Sequence, residues 1–140
     1  MSDSVLQTRT DGDRTLVLDP VRRQWVALTP EEGVRQRLIV DLLALGYPAG
    51  LLAVERAVRY GSKTWRADLV AYGRDQTPVL LAECKAPGVA IDQTTFDQLA
   101  RYNAVLGSPT LVVDNGAVRY CCVQREGAWA FVEAIPPFAP

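Results

Sequence analysis

The chain has 140 residues, 49% of them hydrophobic, with 15 basic and 16 acidic side chains for a net charge of -1. That length sets one compact domain with a real core, and the near-zero charge excludes a whole-surface basic footprint for nucleic acid, leaving only a local patch. The chain has no histidine, which excludes Ser-His-Asp, Cys-His and His–metal chemistry, so any chemistry runs on carboxylates, Lys, Tyr, Ser/Thr or a bound metal.

Three cysteines without a Cys-x-x-Cys disfavour a zinc site and read as buried thiols in a reducing compartment. The polar start Met1-Ser2-Asp3-Ser4 has no apolar segment behind it, and no apolar run approaches membrane-spanning length. The expectation is a soluble cytoplasmic protein.

Residues 1–14 are polar and aperiodic, as in a flexible terminus. Residues 15–19 and 25–28 read as the two strands of a small hairpin. Thr29-Pro30-Glu31-Glu32 starts a helix: Thr29 as N-cap, Pro30 at the first helical position, Glu32 closing a capping box. Val34, Leu38, Leu42 and Leu45 follow at helical spacing until Gly46 and Pro48 end it. Residues 51–60, 64–72 and 79–85 read as three strands joined by short turns, a meander. Residues 92–106 read as a second helix, with Phe96, Leu99, Ala100, Asn103 and Leu106 on one side. Residues 110–114, 118–124 and 128–132 read as strands, the first two joined by the hairpin signal Asn115-Gly116. A single domain over 15–135 and a tail over 136–140, too proline-rich for a regular element, complete the expectation.

The chemistry concentrates on the middle strands. Side chains alternate across a strand, so Glu83 and Lys85 share a face at the charged end of an otherwise apolar strand. Such charges are costly near a core unless they pair or bind something. Asp68 sits in mid-strand, where Asp is disfavoured. Alternation puts Trp65, Ala67, Leu69 and Ala71 on one face and Arg66, Asp68, Val70 and Tyr72 on the other. Counting back from the turn near Asp75 and Gln76, antiparallel pairing sets Asp68 opposite Glu83. Two adjacent carboxylates repel unless a proton or cation lies between them. Lys85 supplies one positive charge, and a Mg2+ ion would satisfy the rest.

Asp68 followed by Glu83-Cys84-Lys85 resembles the PD-(D/E)XK nuclease signature, with Ala67 where the name has Pro. Gln98-Leu99-Ala100-Arg101-Tyr102 is similar to the Gln-x-x-x-Tyr motif of one branch of that superfamily. More narrowly, Thr29-Pro30-Glu31-Glu32, Val34-Arg35-Gln36, Ala53-Val54-Glu55, Glu83-Cys84-Lys85-Ala86-Pro87, Phe96-Asp97-Gln98, Arg101-Tyr102-Asn103 and Asn115-Gly116 resemble the N-terminal domain of type I restriction enzyme R subunits. The likeness runs over about residues 16–136, and is nearest to short stand-alone proteins of that type.

The resemblance implies an α/β (α+β) fold: a restriction-endonuclease-like αβββαβ core, its central mixed sheet flanked by helices, with the N-terminal hairpin added. It implies a Mg2+-dependent nuclease, with Mn2+ as a possible substitute, acting on DNA phosphodiester bonds. Asp68 and Glu83 would hold the metal with the backbone carbonyl of Cys84, and Glu32 would complete the shell. Lys85 would orient or activate water, while Gln98 and Tyr102 would position the DNA or the site. An R subunit continues into a helicase motor, whereas this sequence has no Gly-x-x-x-x-Gly-Lys-Ser/Thr loop. That leaves open a motor or targeting partner, a homodimer, or a non-cleaving nucleic-acid-binding or assembly module.

Each site residue also has a plainer reading. Glu32 is explained as well by a helix cap, Tyr102 by packing beside Leu99 and Leu106, and Arg101 by solvation as much as by a phosphate. Lys63, Arg66, Arg59 and Arg56 form either a basic rim for DNA phosphates or an ordinary mixed surface. Trp25, Trp65 and Trp129 read as core or sheet-face residues, and Cys121 and Cys122 as packing.

Overall fold

The computed structural model describes residues 6–139. It is a mixed α+β structure with two helices, a three-stranded sheet and a six-stranded sheet. The small sheet comprises β1 (Thr8–Asp11), β2 (Arg14–Asp19) and β3 (Gln24–Ala27), all antiparallel. The expected hairpin is β2–β3. The strand β1 falls within residues read from the sequence as a loose terminus, of which 1–5 lie outside the described residues. It is polar and exposed along its length, so no hydrophobic alternation announces it; backbone pairing to β2 makes it a strand.

Helix α1 (Pro30–Ala44) begins as the sequence dictates, with the Thr29 hydroxyl accepting from the Glu32 N–H at 3.0 Å. The second half of the expected capping box is missing, because the Glu32 carboxylate turns to arginines instead. At the far end Gly46 takes φ +93, and the Gly46 and Tyr47 N–H groups bond the Leu43 and Leu42 carbonyls. That is a Schellman motif, which needs a residue free to adopt a left-handed backbone.

The large sheet runs β4 (Leu52–Tyr60), β5 (Lys63–Tyr72), β6 (Pro78–Cys84), β7 (Thr110–Asp114), β8 (Arg119–Arg125) and β9 (Ala128–Val132), in that spatial order. Every neighbouring pair is antiparallel except β6–β7. That parallel pair requires a crossover, which α2 (Gln93–Leu106) supplies. Asp92 caps α2 in a reciprocal box with Thr95, and Gly107 ends it at φ +71.

The helices cover different clusters of the sheet. Val34, Leu38, Ile39 and Leu42 of α1 pack with Leu69, Ala71, Leu80, Ala82 and Val112. Leu99 of α2, with Phe96 and Leu106 beside it, packs with Val58, Val70, Leu81, Leu111 and Val113. Ala100, expected on the packed side of α2, is exposed, and Asn103 is buried with its amide and carbonyl bonded to the Ser108 backbone at 2.9 Å. After β9 the chain returns to α1: the Tyr47 hydroxyl donates to the Pro136 carbonyl at 2.8 Å, and Phe138 meets the Tyr47 ring edge-on.

Candidate functional site

The β5–β6 register pairs Leu69 with Ala82 and Val70 with Leu81. Continued by one residue, it sets Asp68 opposite Glu83, as counted from the turn. The ladder does not continue in the backbone there. The Cys84 N–H donates instead to the Asp68 carboxylate, Oδ2, at 2.8 Å. On the other side the Lys85 N–H donates to the Asp114 carbonyl of β7 at 2.8 Å. Adjacent residues of a strand aim their backbone groups at opposite neighbours, so the Cys84 carbonyl points to the β5 side, toward Asp68. Lys85 itself lies one residue beyond β6.

Strict alternation along β5 breaks at Asp68. Trp65 and Ala67 join the α2 cluster, whereas Leu69 and Ala71 join the α1 cluster, although all four were expected on one face. Glu55 stands across from Asp68 in the β4–β5 register and takes φ +55. At this point β5 changes the face it presents, so that its outer half carries Trp65 and Ala67 toward α2.

Asp68 and Glu83 are largely withdrawn from water, with side chains 18% and 21% exposed. Burial, then the nearby Asp68 charge, raises Glu83 to about 7 against the pull of Lys85, whose Nζ lies 3.3 Å from Glu83 Oε2. Burial also raises Asp68, opposed by the Cys84 N–H and by Arg35, whose guanidinium lies 3.8 Å from Oδ1. Glu31 acts on both carboxylates as a repelling charge. The Cys84 thiol packs in the α1 cluster, and burial pushes it well above its ordinary range, so Cys84 offers the site its backbone.

Gln98 and Tyr102 are one helical turn apart on α2 and line a cleft with Glu83, Trp65, Thr95 and Leu99. Tyr102 stacks on Trp65 with ring centres 4.1 Å apart and planes within 5°. The structure therefore gathers Asp68, Glu83, Lys85, Gln98 and Tyr102 at one place. It leaves Arg101 exposed on α2, outside the residues lining that cleft. Lys63 and Arg66 are exposed on the outer part of β5, and Arg56 and Arg59 on β4 beside them. Lys63, expected in the turn, is the first residue of β5.

Glu32 is not brought to the pair. Its carboxylate accepts from Arg22 at 2.8 Å, from Arg35 at 2.6 and 3.0 Å, and from Gln36 at 3.0 Å. Burial alone would raise its pKa, but these bonds override it and hold Glu32 at about 2. Among the described residues no three His, Cys, Asp or Glu side chains are grouped to hold a metal ion. Of the four expected ligands, Asp68, Glu83 and the Cys84 backbone lie together, while the Glu32 carboxylate is taken up by Arg22, Arg35 and Gln36.

Two contributors escaped sequence reading. Arg35 lies three residues after Glu32, a spacing that places both on one helix face and was the available signal. Arg22 comes from the β2–β3 turn, where it also bonds the fully buried Asp19 and reaches Glu55 at 3.2 Å. No local pattern connects it to a site on another sheet. Asp19, Arg22, Glu32, Arg35 and Asp68 form a continuous relay of alternating charge.

The site's chemistry suits a hard dication. Two carboxylates that repel each other, with carbonyl oxygen beside them, are the donor set that such ions take. No helix among the described residues is long and apolar enough to cross a membrane. Comparison with curated proteins gave no match, and comparison with solved structures gave none either. A family model described as "Type I restriction enzyme R protein N terminus (HSDR_N)" matches residues 30–136. That span covers α1, the whole six-stranded sheet and α2, and so includes Glu32, Arg35, Asp68, Glu83, Lys85, Gln98 and Tyr102, while Asp19 and Arg22 precede it: the chain belongs to the family of type I restriction enzyme R protein N-termini.

Proposed function

We propose that this is a Mg2+-dependent nuclease domain that hydrolyses DNA phosphodiester bonds, with Mn2+ as a working substitute. We further assign α1, β4, β5, β6, α2 and β7 to the αβββαβ core of the PD-(D/E)XK type. One observation carries the proposal: two largely buried carboxylates abut on neighbouring strands, with an ammonium 3.3 Å from one of them. Asp68, Glu83 and the Cys84 carbonyl would hold the cation. When bound, the cation supplies Lewis-acid polarisation of the phosphate and a lowered pKa for water.

The chain's own residues do the rest. Lys85 orients the attacking water and balances charge that builds on the phosphate. Gln98, which lines the cleft together with Glu83, positions the scissile strand. Tyr102, locked by its stack on Trp65, fixes that wall of the cleft. Lys63, Arg66 and Arg101 hold flanking phosphates. Glu32 stands outside the metal shell and anchors Arg35, which faces Asp68.

Purified protein with Mg2+ or Mn2+ is expected to nick plasmid DNA, and Glu83→Ala or Lys85→Ala to abolish nicking. Cleavage that survives both substitutions removes this mechanism. Calorimetric titration with Mg2+ is expected to give heat in the wild type and none in Asp68→Ala.

One observation favours a second reading, a non-cleaving DNA-binding or assembly module that works with a motor or targeting partner. Arg35 and Lys85 already stand beside Asp68 and Glu83, and among the described residues no three His, Cys, Asp or Glu side chains are grouped to hold a metal ion. A gel shift without cleavage in any divalent metal would favour it over hydrolysis.

A further inference from the structure

The far edge of the large sheet is unlike its surroundings. Among the described residues strand β9 pairs only with β8, so its outer row of backbone groups faces away from the sheet. Its sequence, Ala128-Trp129-Ala130-Phe131-Val132, has none of the usual protections of an edge: no Pro, no charge and no register shift. Trp129 is 42% exposed, Phe131 66%, and neighbouring Tyr120 on β8 41%. Phe96 of α2 meets both Phe131 and Tyr120 edge-on. Beneath them lies an apolar groove lined in part by Phe96, Ala100, Leu111 and Cys122.

We propose that β9 is the dimer interface of this protein, pairing antiparallel with β9 of a second copy about a two-fold axis through Ala130. The strand's own pattern singles out a second copy. Centred on Ala130, the antiparallel register sets Trp129 against Phe131 of the partner on one face, and Ala128 against Val132 of the partner on the other. Both aromatic positions thus find an aromatic opposite, and each small residue finds an apolar one. Directly opposed aromatic pairs are among the stabilising cross-strand contacts, and a two-fold interface requires such self-complementarity. A net charge of -1 puts little repulsion between two copies. The pairing would join two six-stranded sheets into one of twelve.

Area sets the expected strength. At about 150–250 Å2 for each buried aromatic, the exposed parts of Trp129, Phe131 and Tyr120 from two copies contribute roughly 600 Å2. The backbone and the flank of α2 must add the remainder of the ~1,200 Å2 typical of a stable complex. A dimer that dissociates on dilution is therefore expected.

The test is sedimentation equilibrium from micromolar to submillimolar concentration, with two kinds of variant. The wild type is expected to be a reversible dimer, and Phe131→Lys a folded monomer by circular dichroism. Register is read by a short bis-maleimide cross-linker. Ala130→Cys is expected to link to its own copy across the axis. Ala128→Cys is not, since the two positions would lie about 13 Å apart along the strand direction. The native cysteines are buried and serve as the background. A wild type monomeric at every concentration overturns the proposal. So does a dimer that persists in Phe131→Lys, or one that links through residue 128 rather than 130.

Discussion

Two acidic residues of this chain meet opposite fates, and the difference lies in their neighbours. Glu32 is ringed by Arg22, Arg35 and Gln36 and held at about 2, whereas Glu83 is buried against Asp68 and raised to about 7. Glu32 therefore adds stability that is full above its ordinary 4.5 and lost as pH falls through about 2. Its removal leaves the buried Arg35 with Asp68 at 3.8 Å as its remaining ion-pair partner, while Arg22 keeps Asp19 and Glu55; Glu32→Ala is expected to cost about 3 kcal/mol in urea unfolding at neutral pH. Glu83 works in the opposite sense. Its folded form keeps a proton that the unfolded form releases near 4.5, so stability declines as pH rises from there through about 7. Glu83→Gln is expected to stabilise the protein at pH 8 in chelator by on the order of 1–3 kcal/mol, with no gain at pH 4. Thermal melts at the two pH values check this. Mg2+ is expected to raise the melting temperature of the wild type at pH 8 and leave Glu83→Gln unmoved.

At the scale of elements, the β4–β5 ribbon is the part that reaches outward. Its outer half carries Arg56, Arg59, Lys63 and Arg66, all exposed. Lys63→Ala and Arg66→Ala are each expected to weaken DNA binding alike across sequences and to lower the salt slope by about one. Calorimetric Mg2+ binding is expected to stay at the wild-type value in both. Much of this architecture was legible in the sequence because local rules act alone there. Thr29 starts α1 by capping and Gly46 ends it, and a short turn keeps β5 and β6 neighbours, with the irregularity at Ala71/Tyr72 completing the register that sets Asp68 against Glu83. What stayed hidden depends on distant partners. Glu32 fits a capping box by spacing, yet an arginine from another sheet outcompetes the helix end. The strand β1 is polar on both faces, so only backbone pairing makes it a strand. Trp65 follows the alternation of Leu69 in the sequence but not in space: β5 changes face at Asp68, opposite the left-handed backbone of Glu55 on a different strand.

At the scale of the whole molecule, Arg22 ties the small sheet to α1 and to the large sheet. It bonds Asp19 on the small sheet, Glu32 on α1 and Glu55 on β4. Arg22→Ala is expected to speed amide exchange at residues 16–19 and 24–27 while leaving β6 and β7 protected; equal acceleration in both sheets would show that Arg22 does not act as the joint. The large sheet itself forks where β5 leaves β6 beyond the Leu69–Ala82 pair, and Asp68 sits in the crotch. Past that point the β4–β5 ribbon leaves β6 and leans on α2, with Trp65 stacked on Tyr102 and Tyr60 edge-on to the same ring. From Asp68 to Lys63 it extends five residues, about 17 Å. The arm that carries Lys63 and Arg66 is thus braced twice, at the fork by the Asp68–Cys84 bond and along its length by Tyr102, so those two basic side chains stand at a set distance from the Asp68–Glu83 pair.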